Sequence, residues 1–263
     1  MRHFTEQLGA RVLGSMRGTV HTAAVSAELL RRALCPSGWP RTTRNVLARQ
    51  ILFTGVDAVG IVALLGLLVG VSVVLQAQVW LSRLGQTAAV GPILAAVLIR
   101  EMGPLLVNFI VIGRSGTAIS SELSAMRVNG EIRVLEAQGL DPLAYLLLPR
   151  AVGMAASVFG LTVLFIFVAF AGGFGSGWLL GADVGPPALF VEGIARAVRP
   201  VDFGNLLAKT LIPGFLTGII CSIEGLSVRG AATEIPQAAT RGVVRSVQVL
   251  FLSSVIISLV TYL

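Results

Sequence analysis

Five long apolar runs divide the chain and constrain its fold more than any other feature. A helix needs about 20 consecutive apolar residues to cross the hydrocarbon core of a bilayer, where every backbone polar group must be paired within the protein. Each run is long enough, or nearly so, to form such a helix. We therefore predict an all-α integral membrane protein with about five transmembrane helices, near residues 58–82, 88–112, 151–182, 206–223 and 246–263.

The composition supports one membrane domain and no soluble one. Hydrophobic residues make up 55% of the 263 residues and charged residues 13%, whereas a soluble domain contains about 25% charged residues. Residues 46–263 are therefore predicted to form a single transmembrane domain. The run at 151–182 is longer than one upright helix needs, and we interpret it as one tilted or protruding helix.

Residues 1–45 mix apolar and Arg positions, which predicts N-terminal amphipathic helices that lie on the membrane surface. The formal net charge of +7 could indicate a nucleic-acid partner. The Arg residues are concentrated beside the first apolar run, however, as the positive-inside rule expects. We therefore predict no nucleic-acid partner, a cytoplasmic N-terminus and an external C-terminus. Few Arg residues then face outward: Arg83, Arg196 and Arg199.

A polar segment, residues 113–150, interrupts the apolar chain with a balanced set of charges. Residues 120–138 have the pattern of one helix that Gly139 can end. Asp141-Pro142 then has the cap and first-position residues of a second helix. The orientation above places this segment in the cytoplasm, where a helix–break–helix suits a groove on a soluble ATPase. A solvated loop is the alternative interpretation.

Arg100 and Glu101 place two charges inside the second apolar run. Charges at that depth are costly and usually face a cavity or a partner. The two residues are expected to line a cavity, to form a structural ion pair beside a helix break at Gly103-Pro104, or to do both, with pairing locally or across a dimer. An ion- or proton-coupled carrier that uses Arg100 and Glu101 is the alternative function.

Other charged residues lie near the predicted membrane borders. Lys209, Asp57 and Glu224 are expected to snorkel or to cap helices. Asp202 and Glu192, in the predicted external loop, are expected to be solvent-exposed or to contact an external partner.

Residues of catalytic or metal sites form no recognisable set. Cys35, Cys221, His3 and His21 share no motif, so we predict no metal site and no catalytic residue. An intramembrane enzyme would need a base near its nucleophile, and no His lies in the apolar runs. No GxxxxGK[ST] phosphate-binding loop is present, so ATP with Mg²⁺ would have to be bound by a partner and no cofactor by this chain.

Glycines with helical spacing predict close helix packing. Gly66 and Gly70 form one such pair, Gly214 and Gly218 another, and a glycine-rich stretch at 172–177 a third site.

The order and spacing of many motifs resemble the MlaE (YrbE) family over residues 50–263. These are permease subunits of ABC transporters that move lipids together with MCE-domain proteins. The resemblance rests on Arg100-Glu101-Met102-Gly103-Pro104, Gly113-Arg114-Ser115-Gly116, Glu122-Leu123, Met126-Arg127, Glu131-Ile132, Leu135-Glu136, Gly139-Leu140-Asp141-Pro142 and Pro149-Arg150.

The resemblance implies a homodimer in a bacterial inner membrane. Each permease would bind an ABC ATPase subunit, and an MCE-protein ring would sit on the external face. The substrate implied is phospholipid or a similar lipid. It implies an external lipid pocket lined by Val73, Gln76, Trp80, Leu81, Leu84, Arg100 and Glu101. The implied ATPase-coupling residues are Glu122, Met126, Arg127, Glu131, Leu135, Glu136, Asp141 and Pro142.

Overall fold

All regular structure in the described part of the chain is helical. The computed structural model describes residues 22, 24–33, 39, 41–83, 93, 95–179 and 187–263, and no strand occurs among them. Residues 24–33 are helical. The further elements are α1 (Arg41–Thr54), α2 (Val59–Arg83), α3 (Ala96–Val128), α4 (Glu131–Ala137), α5 (Leu143–Leu179), α6 (Pro187–Ala197), α7 (Pro200–Leu226) and α8 (Ile235–Tyr262). Short 3₁₀ turns precede α2 and α8, at Val56–Ala58 and Ala232–Glu234.

Within the described residues, five helical units are long and apolar enough to cross a membrane: α1 joined to α2 through Ala77, and α3, α5, α7 and α8. The predicted all-α membrane protein with five spanning helices is confirmed. The long third run also forms one protruding helix, the 37-residue α5.

The spanning helices extend well beyond the apolar runs that identified them. α3 continues into the polar segment as far as Val128, and α8 begins at Ile235, within a stretch predicted to be a loop. Helical hydrogen bonds continue through polar residues as long as neighbours pack against them. Apolar length therefore indicated where a membrane could be crossed and not where the helices end.

Helix α5 lies at the centre of the bundle and packs against α1, α2, α3 and α7. Glycines allow the closest approaches. An added Cβ on Gly70 would lie 2.1 Å from the Ala169 carbonyl oxygen, and one on Gly218 would lie 2.6 Å from the Ala151 Cα. The predicted glycine packing is confirmed, and it joins helices within one subunit.

Contacts between the spans fix their relative directions. Gly66 and Gly70 of α2 follow Phe165 and Ala169 of α5 in parallel. Gly214 and Gly218 of α7 meet Ala155 and Ala151 in the opposite order, so α7 is antiparallel to α5. The bundle thus has two ends. We call the one with residues 113–150 and the start of α1 the island end, and the one with Arg100 and Tyr262 the far end.

Within the polar segment, the predicted single helix over 120–138 is wrong. Gly130 has a φ of 78°, in the left-handed region that favours glycine, and it separates α3 from α4. The predicted end at Gly139 is confirmed by a φ of 76°. The restart is confirmed too, because the Leu143 N–H donates to Asp141 Oδ1 over 3.0 Å.

In the part of the chain that the structure describes, three π-helical segments lie within or beside the spans, at Ala95–Met102, Ile112–Gly116 and Leu143–Leu147. The first replaces the helix break expected at Gly103-Pro104, since the chain continues from it directly into the next helical turns. Wide π turns accommodate residues that disturb regular helical hydrogen bonding, and they are frequent at functional sites.

Candidate functional site

Four charged side chains from α3 and α7 form a cluster at the far end. Arg100 binds Asp202 through two contacts, Nε to Oδ1 at 2.9 Å and Nη2 to Oδ2 at 3.0 Å. The Tyr262 hydroxyl donates to Asp202 Oδ1 at 3.0 Å, and the ring of Tyr262 lies 5.5 Å from the Arg100 guanidinium carbon. Asp202 also accepts the Arg199 N–H and so caps α7. The expectation that Asp202 is an exposed loop residue is wrong.

The second pair of the far-end cluster joins Glu101 to Lys209. The Lys209 ammonium lies 2.5 Å from Glu101 Oε1 and also donates to the Arg100 carbonyl oxygen at 2.9 Å. The Ser258 hydroxyl of α8 donates to the same Glu101 oxygen at 2.9 Å. Arg100 and Glu101 therefore pair with α7 and not with each other. Lys209 does not snorkel, because its side chain is only 1% exposed.

The far-end cluster is electrically balanced, with two cations against two anions. Unpaired charges inside a membrane domain are strongly unfavourable, so this balance lets α3, α7 and α8 hold ionised groups between them. The rest of the protein does not fully cover the cluster, because 27% of the Arg100 side chain and 46% of the Glu101 side chain remain exposed.

Two buried amides extend the far-end cluster inward. The Asn205 amide donates to the Arg100 carbonyl, and the Asn108 amide donates to the carbonyls of Lys209 and Pro104. The side-chain carbonyl oxygens of both Asn residues are buried and accept no hydrogen bond from the described protein atoms. Buried polar atoms in folded proteins normally have a hydrogen-bond partner, so these two oxygens are exceptions at this helix interface.

The predicted pocket residues on α2 lie toward the same end as the far-end cluster. Val73 is half-buried and Gln76 is exposed. The side chains of Trp80 and Leu81, and all of Leu84, lie outside the described residues. No hydrogen bond or ion pair joins Gln76 to Arg100 or Glu101 within the described part of the chain, so these two sets share an end of the bundle without direct polar contact.

At the island end, Glu122 of α3 binds Arg150 of α5 at 2.8 Å. The Arg150 side chain is only 6% exposed and also donates to the Leu146 carbonyl, whereas Glu122 is 58% exposed. Glu122, one of the predicted coupling residues, thus takes part in an internal ion pair. The pair ties the two helices that lead into and out of α4.

Further ion pairs at the island end join neighbouring helices. Glu224 of α7 is 6% exposed and binds Arg241 at 3.2 Å and Arg245, both on α8. Arg114 of α3 binds Asp57 at 3.4 Å and donates to the Phe53 carbonyl at the α1–α2 junction. Glu224 is therefore buried between two helices and does not snorkel.

Helix α4 projects from this end and contacts mainly the last turns of α3. Ile132 is buried and Leu135 half-buried, which fixes one face of the helix. Glu131 and Glu136 are exposed, as are Arg127 before the helix and Asp141 after it. Met126 and Pro142, the other predicted coupling residues, are half-buried. Glu131, Glu136 and Arg127 thus form a small charged surface, and their side chains make no ion pair within the described chain.

Asp141 is also bound by the N-terminal helical segment. Arg32 lies 2.9 Å from Asp141 and 2.9 Å from Glu28, and hydrogen bonds to these two carboxylates raise the pKa of the guanidinium. Leu29 beside it is buried in the core of the bundle. Residues 24–33, which belong to the segment predicted to lie on the membrane surface, are therefore docked on the turn that leads into α5.

Sequence reasoning missed the partners in these pairs. A signal was available for the far-end cluster: Asp202 and Lys209 are two helical turns apart, and each carries the charge opposite to Arg100 or Glu101. No comparable signal identified Arg32 or Arg150, whose partners are distant in the chain. No group of three or more His, Cys, Asp or Glu residues suited to a metal occurs within the described residues.

The fold and its ion-pair clusters define a multi-pass, all-helical membrane protein. The sequence profile of the family described as Permease MlaE matches residues 47–260. The chain belongs to this family, and the resemblance inferred from its motifs is confirmed.

Named relatives are similar over most of this chain. A chloroplastic Arabidopsis thaliana protein, TRIGALACTOSYLDIACYLGLYCEROL 1, is 29% identical over 82% of this chain, which spans 61% of that protein's length. A probable ABC transporter permease protein of Synechocystis is 28% identical, with 83% of this chain and 82% of that protein covered. The Haemophilus influenzae intermembrane phospholipid transport system permease protein MlaE is 29% identical, with 76% and 77% covered.

Proposed function

We propose that this chain is the permease subunit of an ABC transporter that moves phospholipid or a similar lipid between its own membrane and an external ring of MCE-domain proteins. Family membership supports transport, and the Haemophilus relative is named for phospholipid transport. The observation that carries the proposal is α4, an exposed charged helix held between two long spans. A soluble partner can act on it and thereby move both spans.

In this mechanism, a partner ABC ATPase binds ATP and Mg²⁺, and its closure displaces α4. Helix α3 is continuous over its 33 residues, and about 40 Å of it separates the base of α4 from Arg100 and Glu101. The Glu122–Arg150 ion pair makes α5 move with α3 at the island end. The far end then changes between two shapes with different affinity for lipid, which is the condition for a coupled conformational change.

The proposed lipid pocket lies at the far end. Apolar residues of α2, with Val73 and Leu81 as walls, would hold acyl chains, while Arg100, Glu101 and Gln76 supply polar groups near the mouth. Trp80 and Leu84 belong to the same proposed lining. The partial exposure of Arg100 and Glu101 supports this assignment, because a headgroup could exchange hydrogen bonds with them without disrupting their pairs.

The proposed assembly contains two copies of this permease, two ATPase subunits and the MCE ring in a bacterial inner membrane. The Arg-rich island end would face the cytoplasm and the far end the ring. This orientation agrees with the positive-inside rule, since Arg41, Arg114, Arg133, Arg229 and Arg241 all lie toward the island end.

Affinity purification in mild detergent tests the assembly. Co-elution of an ABC ATPase and an MCE protein, with bound phospholipid detected by mass spectrometry, is the expected result. A chain that elutes without an ATPase would contradict the proposal. It would favour an ion- or proton-coupled carrier, for which the half-exposed Glu101 beside buried Lys209 is the candidate site.

The double variant Glu131→Lys/Glu136→Lys tests the coupling surface in the purified complex. We expect lipid transport to become uncoupled from ATP hydrolysis, while the thermal unfolding temperature is preserved because both side chains are exposed. Arg229→Glu is the control charge reversal, since Arg229 is also exposed at the island end but lies outside the polar segment. Normal coupled transport in the double variant would reject α4 as the docking surface.

A further inference from the structure

A cleft of about 470 Å³ lies at the island end, apart from α4 and from the far-end cluster. One side is formed by α1, with Thr42, Asn45, Val46, Ala48 and Arg49, and the other by Tyr145 at the start of α5. Thr42, Asn45 and Arg49 are spaced by three and four residues, so they share one face of α1. The cleft is therefore built from a regular helix face and a side chain held by a second helix.

The polar groups of this cleft have no partners in the described protein. The Thr42 hydroxyl, the Asn45 amide, the Arg49 guanidinium and the Tyr145 hydroxyl make no hydrogen bond or ion pair with any residue that the structure describes. Asp141, four residues before Tyr145, is already bound by Arg32 at 2.9 Å. Hydrogen-bond donors and one cation thus converge on the cleft without an internal counter-ion.

The position of the cleft along α1 points to the membrane interface. Ile51, Leu52 and Phe53, two to four residues after Arg49, are exposed apolar residues, and α1 continues through a short turn into the first spanning helix. From Arg49 to Phe53 the helix rises about 6 Å, the distance over which headgroups give way to acyl chains. Arg41 and Arg44 lie before Arg49 in α1 and add positive charge on the side of Arg49 that is away from Ile51.

We propose that this cleft binds the headgroup of an anionic phospholipid from the surrounding leaflet. Arg49 provides the charge that the phosphate requires, Tyr145, Thr42 and Asn45 donate hydrogen bonds to phosphate and glycerol oxygens, and the acyl chains follow the apolar surface of Ile51 to Phe53. Basic sites at the cytoplasmic face of membrane helices recognise anionic lipids by this chemistry. The bound lipid is distinct from transported lipid, whose proposed pocket is at the opposite end of the bundle.

Native mass spectrometry of the detergent-purified full chain tests the proposal during titration with phosphatidylglycerol. Phosphatidylethanolamine of the same acyl length is the comparison lipid. We expect Arg49→Gln to weaken phosphatidylglycerol binding about fivefold, as the loss of one interfacial Arg predicts. Tyr145→Phe should weaken it less, because only one neutral hydrogen bond is removed, and Arg49→Lys should retain most of the affinity.

Arg229→Gln is the matched control, since Arg229 is exposed at the same end and does not line the cleft. Equal losses in Arg49→Gln and Arg229→Gln would overturn the proposal in favour of general surface charge. Equal affinity for both lipids would overturn it as well. Displacement of the lipid by inorganic phosphate alone, with no dependence on acyl chains, would reject a lipid and indicate a free anion. Because the readout is lipid binding to the isolated permease, it is independent of ATP-driven transport.

Discussion

The ammonium of Lys209 lies 2.5 Å from the carboxylate of Glu101, and it is buried while its partner is half-exposed. The pair joins the start of α3 to the third turn of α7, and the hydrogen bond from Ser258 to Glu101 connects α8 to the same pair. Helices that cross a membrane gain little from apolar contacts with one another, because lipid tails are equally apolar. Polar pairs of this kind therefore specify which helices meet at the far end.

Lys209→Met should lower the free energy of unfolding by about 2 kcal/mol, less than the full cost of breaking a buried pair because Glu101 remains half-exposed. The double variant Lys209→Met/Glu101→Gln should recover part of this loss, because no unpaired charge is left. Thermal unfolding of the four proteins of this cycle in detergent measures the coupling. Strictly additive effects would show that the two side chains do not interact.

The Glu122–Arg150 pair should respond asymmetrically to substitution. Glu122→Gln leaves a buried guanidinium without its counter-ion and should destabilise by about 1–2 kcal/mol. Arg150→Met should cost less, because it leaves an exposed carboxylate and an apolar side chain of similar length. Thermal unfolding of the two single variants compares these losses, and a larger loss for Arg150→Met would contradict the expectation.

Two glycines of α7 provide a test of close packing. A Cβ on Gly218 would lie 2.6 Å from the Ala151 Cα, whereas one on Gly204 would meet nothing within 4 Å. Gly218→Ala should therefore destabilise by about 1–3 kcal/mol through overpacking, and Gly204→Ala should be neutral or slightly stabilising. The unfolding temperatures of the two variants test this, and similar values would show that α5 and α7 are not in close contact there.

The Arg32–Asp141 pair should hold the N-terminal helical segment on the turn before α5. Both side chains are more than 40% exposed, so Asp141→Asn should change global stability by less than about 1 kcal/mol. Faster amide hydrogen exchange in residues 24–33 is the expected local effect, and high salt should reproduce it in the unmodified protein. Glu234→Gln, a charge-matched change away from this pair, should leave that exchange unchanged.

The same pair should be insensitive to alkaline pH. The pKa of Arg32 is raised in the folded protein by its hydrogen bonds to Asp141 and Glu28. A cation whose pKa is raised on folding stabilises the folded protein fully at any pH below its unfolded-state pKa. This stabilisation is lost only as the pH rises through the folded-state pKa. Exchange protection of residues 24–33 should therefore stay constant from neutral to moderately alkaline pH. A fall near neutral pH would contradict this pairing.

The linear pattern predicted local features well and cross-chain pairings poorly. Apolar length identified all five spans, Gly139 marked a helix end, and Asp141 marked the next start, because each depends on a few consecutive residues. The pairs Arg100–Asp202 and Glu122–Arg150 join residues 102 and 28 positions apart, and nothing in a single sequence fixes such a distance. Gly130 was missed because a helix-favouring pattern continues on both sides of it.

By itself the sequence determined the class of the protein, the number of spans, glycine pairs with the spacing for close packing and a charged segment that a soluble partner could bind. These follow from the cost of exposing backbone and charge to hydrocarbon, which acts on each segment separately. Only the tertiary structure decided that Lys209 and Asp202 are buried partners of Glu101 and Arg100 and that Glu122 pairs with Arg150. It also decided that Arg49 and Tyr145 line the same cleft. Those relationships depend on which helices pack together and in what rotation, and packing is set by the whole bundle rather than by any one segment.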